Sequence, residues 1–281
     1  MTDLMKGKRG LIMGVANHNS IAWGAAKALA AQGAEIALTY QGEAFGRRVR
    51  PLAEEIGSKL VIPCDVEDTE SLDQVFATLK EEWGTIDFVL HAIAFSDKSE
   101  LKGLYADTTR ENFTRTMLIS CFSFTEVAKR AAEIMTNGGS MVTMSYGGAV
   151  RVMPNYNVMG VAKAALEASV RYLAADFGPR NIRVNSVSAG PVRTLAGAGV
   201  SDARLMFNFQ RRNAPMRRNT SIEEVGGAVL YLMSELSNGV TGEIHYVDSG
   251  YNIMSMPSLE ELKAQEHRKA VVEGEEESGG K

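Results

Sequence analysis

Tyr156 and Lys163 stand seven positions apart in the stretch "NYNVMGVAKAA", Asn155 to Ala165, and Tyr146 lies ten positions upstream of Tyr156. On an α-helix, residues seven apart are two turns on and nearly in register. The two side chains would share a face, about 10 Å apart along the axis at a rise of ~1.5 Å per residue. A lysine cation near a phenol lowers its pKa and helps it stabilise or protonate a developing oxyanion. A nicotinamide ribose can lie beside the lysine while the tyrosine reaches further, to a substrate oxygen. Four-residue spacing would suit a carbonyl carbon that receives hydride directly. Seven-residue spacing moves the served oxygen away from the hydride-accepting carbon. A conjugated enoyl thioester has that geometry: hydride goes to the β carbon and charge appears on the thioester oxygen. The same pattern also fits a surface lysine and a half-buried tyrosine on one helix.

The elements that must position this pair alternate along the chain. "RGLIMGV", "AEIALTY", "KLVIPCDV", "IDFVLHAIAF", "GSMVTMSY", "NIRVNSVSA" and "GEIHYVD" read as seven strands. Helical patterns separate them: "IAWGAAKALAAQG", "AFGRRVRPLAEEIG" with an interruption expected at Pro51, "SLDQVFATLKEEWG", "TRENFTRTMLISCFSFTEVAKRAAEIM" as one long helix, and "YNVMGVAKAALEASVRYLAADFG". "SIEEVGGAVLYLMS" opens with a Ser-x-x-Glu capping box, Ser221 to Glu224. Apolar strand runs without alternation predict a sheet covered on both faces, and the alternation with helices predicts right-handed βαβ crossovers. The fold class is α/β: a single Rossmann-like, doubly wound domain with a seven-stranded parallel sheet flanked by helices. Residues 1–258 form that domain, with a substrate-binding insertion at about 193–220; residues 259–281 form a charged, flexible tail.

Composition narrows the classes. The 281 residues are 45% hydrophobic and 23% charged, with a formal net charge of −4. Such a chain is not built to attract nucleic acid or an anionic membrane. No apolar run approaches the ~20 residues that span a bilayer. "MTDLMKGKRG" carries no signal-peptide apolar region. The two cysteines, Cys64 and Cys121, form no CxxC or His/Cys cluster. They read as small core residues in a reduced, cytoplasmic setting, with no metal site.

Ligands of such a sheet sit beyond the carboxyl ends of its strands. The first turn, Gly14 to Gly24, reads "GVANHNSIAWG" rather than G-x-G-x-x-G. Gly14 permits close backbone approach, Ser20 can offer its hydroxyl to a phosphate, and helix amides begin at Ile21. A glycine after a strand is equally an ordinary turn. Strand two ends at Tyr40-Gln41, where an acid would hold ribose hydroxyls and reject a 2′-phosphate. Gln41 tolerates the diol, while Arg47 and Arg48 could pair a phosphate, so these residues leave NADH and NADPH open. Asp65 and Val66 are placed to meet an adenine ring, or serve as a helix cap.

"GVANHNSIAWG", "CDV", "SYGGA", "PNYNVMGVAKAALEA", "RVNSVSAGPVRT" and "GEIHYVDSGYNI" together resemble the short-chain dehydrogenase/reductase superfamily over about residues 5–257. Within it the chain resembles the bacterial NADH-dependent enoyl-acyl carrier protein reductases of type II fatty-acid synthesis. The Y-x6-K spacing with Tyr146 upstream is specific for that branch; Gly160 holds the place of the lysine in ordinary members, and "HAIAF" replaces their Asn-Asn-Ala-Gly. The resemblance implies hydride transfer from NADH, rather than NADPH, to carbon 3 of a trans-2-enoyl thioester carried on acyl carrier protein. It implies that Tyr156 stabilises the enolate, Lys163 holds the nicotinamide ribose, and Tyr146 lines the pocket. Gly14, Ser20, Ile21, Gln41, Asp65, Val66, Ile93, Val192 and Thr194 would frame the cofactor, and Met159, Ala196, Met206 and Phe207 the acyl pocket or its lid. A homotetramer is implied as well. The segment "TLAGAG", Thr194 to Gly199, with "RLMFNF" after it, reads as a lid, and Arg204, Arg211, Arg212, Arg217 and Arg218 against Asp202 make a local basic cluster for the acidic carrier. The alternatives are a 3-oxoacyl or other carbonyl reductase of the same superfamily, and a catalytically inactive nucleotide-binding regulator.

Overall fold

The structure is a computed structural model describing residues 3–192, 194, 203–264 and 266. Seven strands run parallel in one sheet: β1 (Arg9–Met13), β2 (Glu35–Tyr40), β3 (Leu60–Pro63), β4 (Phe88–His91), β5 (Gly139–Tyr146), β6 (Ile182–Ala189) and β7 (Ile244–Val247). Their order is β3-β2-β1-β4-β5-β6-β7. Every residue of β6 is buried, which requires cover on both faces. The order reverses between β1 and β4, and there the crossovers diverge to opposite sides and open a crevice at the strand ends.

One face is covered by α3 (Thr69–Trp83), α5 (Ser123–Ile134) and α6 (Asn157–Phe177), whose Leu72, Val75, Phe124, Val127, Leu166 and Val170 join one core cluster. The other is covered by α1 (Ile21–Ala30), α2 (Gly42–Glu55) and α8 (Ile222–Met233), which contribute Trp23, Leu29, Val49, Val225 and Leu232 to a second. Ser221 and Glu224 close the expected capping box reciprocally, 3.3 Å from the Glu224 amide to the Ser221 hydroxyl and 2.9 Å in return. Cys64 and Cys121 are free and buried.

Three local expectations change. Strand β4 stops at His91, and the next residues turn away, with the Phe95 amide donating to Ser120 Oγ instead of to a neighbouring strand. Pro51 does not interrupt α2: the helix runs through it, with the preceding turn at Arg47 on its exposed side. The long helix after β4 is two helices, α4 (Arg110–Met117) and α5, joined by a wide π turn at Leu118–Phe122. Helix α7 (Ala203–Asn213) occupies the second half of the insertion. Residues 259–264 are helical and packed: Glu261 is buried and pairs with Arg212 at 3.3 Å, and the Ser258 amide donates to Asn213 Oδ1.

Helices α1 and α8 cross where neither has a side chain. A Cβ on Gly24 would lie 2.4 Å from the Ile222 carbonyl oxygen, and one on Gly226 2.6 Å from that of Gly24. Backbone atoms cannot yield there, so Gly24→Ala is expected to destabilise the fold by ~1–3 kcal/mol, the usual range for overpacking. Denaturant midpoints of the two proteins check it.

Candidate active site

The crevice begins at the β1–α1 turn. Gly14 has φ 101, and a Cβ there would come within 2.1 Å of the Ala92 carbonyl oxygen, so the turns after β1 and β4 touch backbone to backbone. Ser20 is the N-cap of α1 without capping its first turn; its Oγ accepts instead from the Ala16 and Asn17 amides, at 3.0 and 3.1 Å. The serine thus folds the turn that brings the first-turn amides at Ile21 to the crevice, where an anion would be held.

At the ends of β2 and β3, Gln41 Nε2 donates to Asp65 Oδ2 at 3.0 Å. Val66 is buried in the core cluster beneath. Arg50 is already engaged: it donates to both oxygens of Glu43, at 2.6 and 3.0 Å, and to Tyr40 Oη at 2.9 Å, with its guanidinium over the Tyr40 ring. Glu43 thereby holds Arg50, and Gln41 adds no cation.

Tyr156 is the N-cap of α6, with φ −119 and ψ −25, flanked by Asn155 and Asn157 at φ 57 and 33. Its ring meets Tyr146 edge-on at 5.1 Å between centroids. The Tyr146 hydroxyl is buried and has no hydrogen-bond partner among the described residues, a polar group left for a ligand to satisfy. Lys163 is buried, and its Nζ donates to the Met144 carbonyl at 2.8 Å. An ammonium has three donors; those left over suit the two hydroxyls of a ribose. Burial pulls the Lys163 amine down to about 8, against the opposing pull of Cys121 and Glu167. Burial pushes the Tyr156 phenol far up, with Tyr146 adding to it, and pushes Tyr146 up to about 12. Burial therefore favours the neutral Tyr156 O–H, and Lys163 is not among the causes of that shift.

Gly160 has a spatial reason for being glycine. A Cβ there would lie 2.9 Å from the Gly148 carbonyl oxygen, and one on Gly148 would lie 2.5 Å from the Tyr156 ring. The "SYGGA" turn presses on α6 where a lysine four residues after Tyr156 would have to leave the helix.

Of the other expected residues, Met159 packs with Leu101 and Val158 against Tyr156. Ile93 is half-buried against the core under α5, and Val192 is buried against the opposite cluster, with the Thr194 amide donating to the Val192 carbonyl. Met206 and Phe207 are half-buried on α7. Ala196 lies outside the described residues. Helix α7 reaches the tyrosine pair indirectly: Phe209 meets Tyr251 edge-on at 6.4 Å, and Tyr251 adds to the upward shift of Tyr146. Sequence reasoning missed Met144, whose contribution is a backbone carbonyl and so leaves no side-chain signal. It also missed His91, a histidine inside an apolar strand run, whose Nε2 lies 2.9 Å from Ser123 Oγ.

A family model described as enoyl-(acyl carrier protein) reductase matches residues 14–252. The chain belongs to that family. It is 72% identical over 263 residues to enoyl-[acyl-carrier-protein] reductase [NADH] 2 of Rhizobium meliloti, covering 94% of this chain and 98% of the relative. The solved enoyl-acyl carrier protein reductase of Anaplasma phagocytophilum, in complex with NAD, superposes with a TM-score of 0.88 at 57% identity, over 92% of this chain and 97% of that one. The Bacillus cereus enoyl-acyl carrier protein reductase, solved with NADP+ and indole naphthyridinone, gives 0.89 at 50% identity, over 90% and 100%. Members of the family therefore crystallise with either nicotinamide cofactor, and local residues must decide between them. Here the NADH-dependent reductases are the named relatives, and at the end of β2 Gln41 is paired with Asp65 and Arg50 with Glu43, while Arg47 and Arg48 are exposed on α2.

The kcat/KM for NADH is expected to exceed that for NADPH, and Glu43→Ala, by freeing Arg50, is expected to narrow the ratio. Steady-state kinetics with both cofactors measure it; an unchanged ratio in the variant would remove Glu43 from the choice.

Proposed function

We propose that the protein reduces trans-2-enoyl thioesters of acyl carrier protein in type II fatty-acid synthesis, with Tyr156, Lys163 and Tyr146 as its working side chains. What carries the reading is the orphaned Tyr146 hydroxyl set against Tyr156, above a buried Lys163 with donors to spare. The bound NADH supplies the hydride. Lys163 holds the ribose hydroxyls and so fixes where the substrate's carbon 3 must lie. As negative charge moves to the thioester oxygen, the neutral Tyr156 O–H donates to it, in surroundings dry enough to make that bond strong. Tyr146 closes the pocket beside it and orients the acyl thioester.

The turn Gly14 to Ile21 takes the pyrophosphate, Gln41 the adenosine ribose, and Asp65 and Val66 the adenine edge. Ile93, Val192 and Thr194 border the nicotinamide. Met159, Ala196, Met206 and Phe207 supply the acyl pocket and its lid, which excludes water from the enolate. Residues 1–258 are the catalytic domain in this reading, and the charged end is an appendage to it. Among the described residues no helix is long and apolar enough to cross a membrane, in keeping with work in the cytoplasm on a diffusing carrier. The homotetramer is supported by apolar side chains left on outer helix faces, Val161 and Tyr172 of α6 among them.

The deciding experiment follows NADH oxidation spectrophotometrically with a crotonyl thioester and with an acetoacetyl thioester. Turnover of the first alone is expected; turnover of the second would favour a carbonyl reductase, and turnover of neither a nucleotide-binding regulator. Tyr156→Phe is expected to lose ~2–4 kcal/mol of transition-state stabilisation, read as kcat. Lys163→Ala is expected to weaken NADH binding in calorimetry.

Of the basic cluster, Arg212 is paired with Glu261 and Arg218 with Glu224, whereas Arg204 and Arg211 are exposed and make no ion pair among the described residues. Reversing the charge of Arg204 and Arg211 is expected to raise KM for the carrier-bound substrate and to spare the coenzyme A analogue. Equal effects on both substrates would assign these arginines to the fold or the lid.

A further inference from the structure

Glu167 continues the working stripe of α6, eleven residues past Tyr156 and four past Lys163. At ~100° per residue, positions 156, 163 and 167 stay within about 40° of one line along the helix. A buried carboxylate is costly unless its oxygens are satisfied. Glu167 is only 6% exposed, forms no ion pair within 4.0 Å among the described residues, and takes a hydrogen bond of 2.5 Å from Ser145 Oγ. Ser145 sits between Met144, whose carbonyl accepts from Lys163, and Tyr146, whose ring meets Tyr156. Three successive residues of β5 therefore each hold one member of the stripe.

The other titratable groups facing this pair are His91 from β4, Cys121 from the π turn, Tyr246 from β7 and Arg171 on α6. Burial holds His91 neutral, with its pKa down at about 3, and pushes the Cys121 thiol and the Tyr246 phenol up, so these three carry no charge at neutral pH. That leaves Lys163, Arg171 and Glu167 as the groups that can carry charge here. Burial pushes the Glu167 carboxyl up, against Ser145, Arg171 and Lys163, all of which favour its ionised form.

We propose that Glu167 is a positioning residue for the reduction: through Ser145 it fixes the Met144–Tyr146 segment, and its carboxylate keeps Lys163 in the ammonium form that holds the cofactor. The proposal rests on Lys163 acting at the ribose, and the test separates the two. Glu167→Gln keeps an acceptor for Ser145 and removes the charge. NADH affinity is followed by fluorescence from pH 6 to pH 10 in wild type, Glu167→Gln, Glu167→Ala and Lys163→Met, together with thermal midpoints and kcat. In wild type the affinity falls on the alkaline side as Lys163 loses its proton. Removing a neighbouring anion lowers a lysine pKa, so in Glu167→Gln that fall is expected to move toward acid by about one pH unit while affinity at pH 6 is kept. Glu167→Ala also releases β5, and is expected to lower kcat ~10- to 100-fold, the scale of a small misplacement of catalytic groups. An alkaline fall that stays in place in Glu167→Gln but vanishes in Lys163→Met overturns the proposal alone, as does a change confined to thermal midpoint. Wild-type affinity with an unaltered fall in Lys163→Met overturns the ribose reading and this proposal with it.

Discussion

Taking the Lys163 ammonium out of water is the constraint around which the rest of the site is arranged. A buried amine without partners gives up its proton, and burial here already brings its pKa down to about 8. The Met144 carbonyl at 2.8 Å keeps the amine oriented. That carbonyl belongs to the last turn of pairing between β5 and β6, whose register runs unbroken from Gly139 and Ile182 to Tyr146 and Ala189. The sheet is thus the ruler for the lysine: a slip of one residue would present a different carbonyl and flip Tyr146 to the other face.

The tyrosine is held by a different device. Tyr156 precedes the first residue of α6, so its position depends on how the chain enters the helix. Asn155 and Asn157 carry the left-handed conformations that make the entry, which asparagine tolerates better than bulkier residues. Asn157 Nδ2 then donates to the carbonyls of Glu100, Lys102 and Gly103, which ties the entry to the loop after β4. Burial acts on the two residues in opposite directions. The phenol, pushed up, stays a neutral donor, and the amine, pulled down, is the group whose charge depends on pH near neutrality.

Most of this was legible in the sequence because periodicity and chemistry agreed. All seven strands and the capped helix at Ser221 are where apolar runs and the Ser-x-x-Glu pattern place them, and Lys163 lies on the helix that Tyr156 opens. What the sequence concealed has physical causes. The end of β4 was overestimated because "HAIAF" is apolar on both sides of the point where Phe95 finds Ser120 in place of a strand. Pro51 looked like a break because its missing donor is visible in the sequence, whereas the exposure of the preceding turn is not. Glu167 was passed over because a glutamate on a helix is ordinarily solvated, and only the β5 contact shows that it is not. The phenol's pKa was expected to follow the lysine; it follows burial, which no spacing reports.

The π turn at Leu118–Phe122 explains how one interrupted helix serves three neighbours. A regular helix would continue α4 into α5 with one stripe facing the sheet. The wider turn accommodates an extra residue and redirects the side chains around it. Ser120 then reaches the loop after β4, accepting from the Phe95 amide and donating to the Phe95 carbonyl, both at 2.9 Å. Cys121 meets Ser169 of α6 at 3.7 Å. Ser123 Oγ lies 2.9 Å from His91 Nε2 at the end of β4 and donates to the Ile119 carbonyl at 2.7 Å. Small polar residues at 120, 121 and 123 thus clamp the end of β4, its following loop and α6 to one point. Through it the loop after β4 is tied to the helix that carries Lys163. The sequence read as a single long helix because small residues such as Ser and Cys interrupt no apolar period, yet the clamp needs their size: a larger side chain at any of the three would push one of these neighbours away.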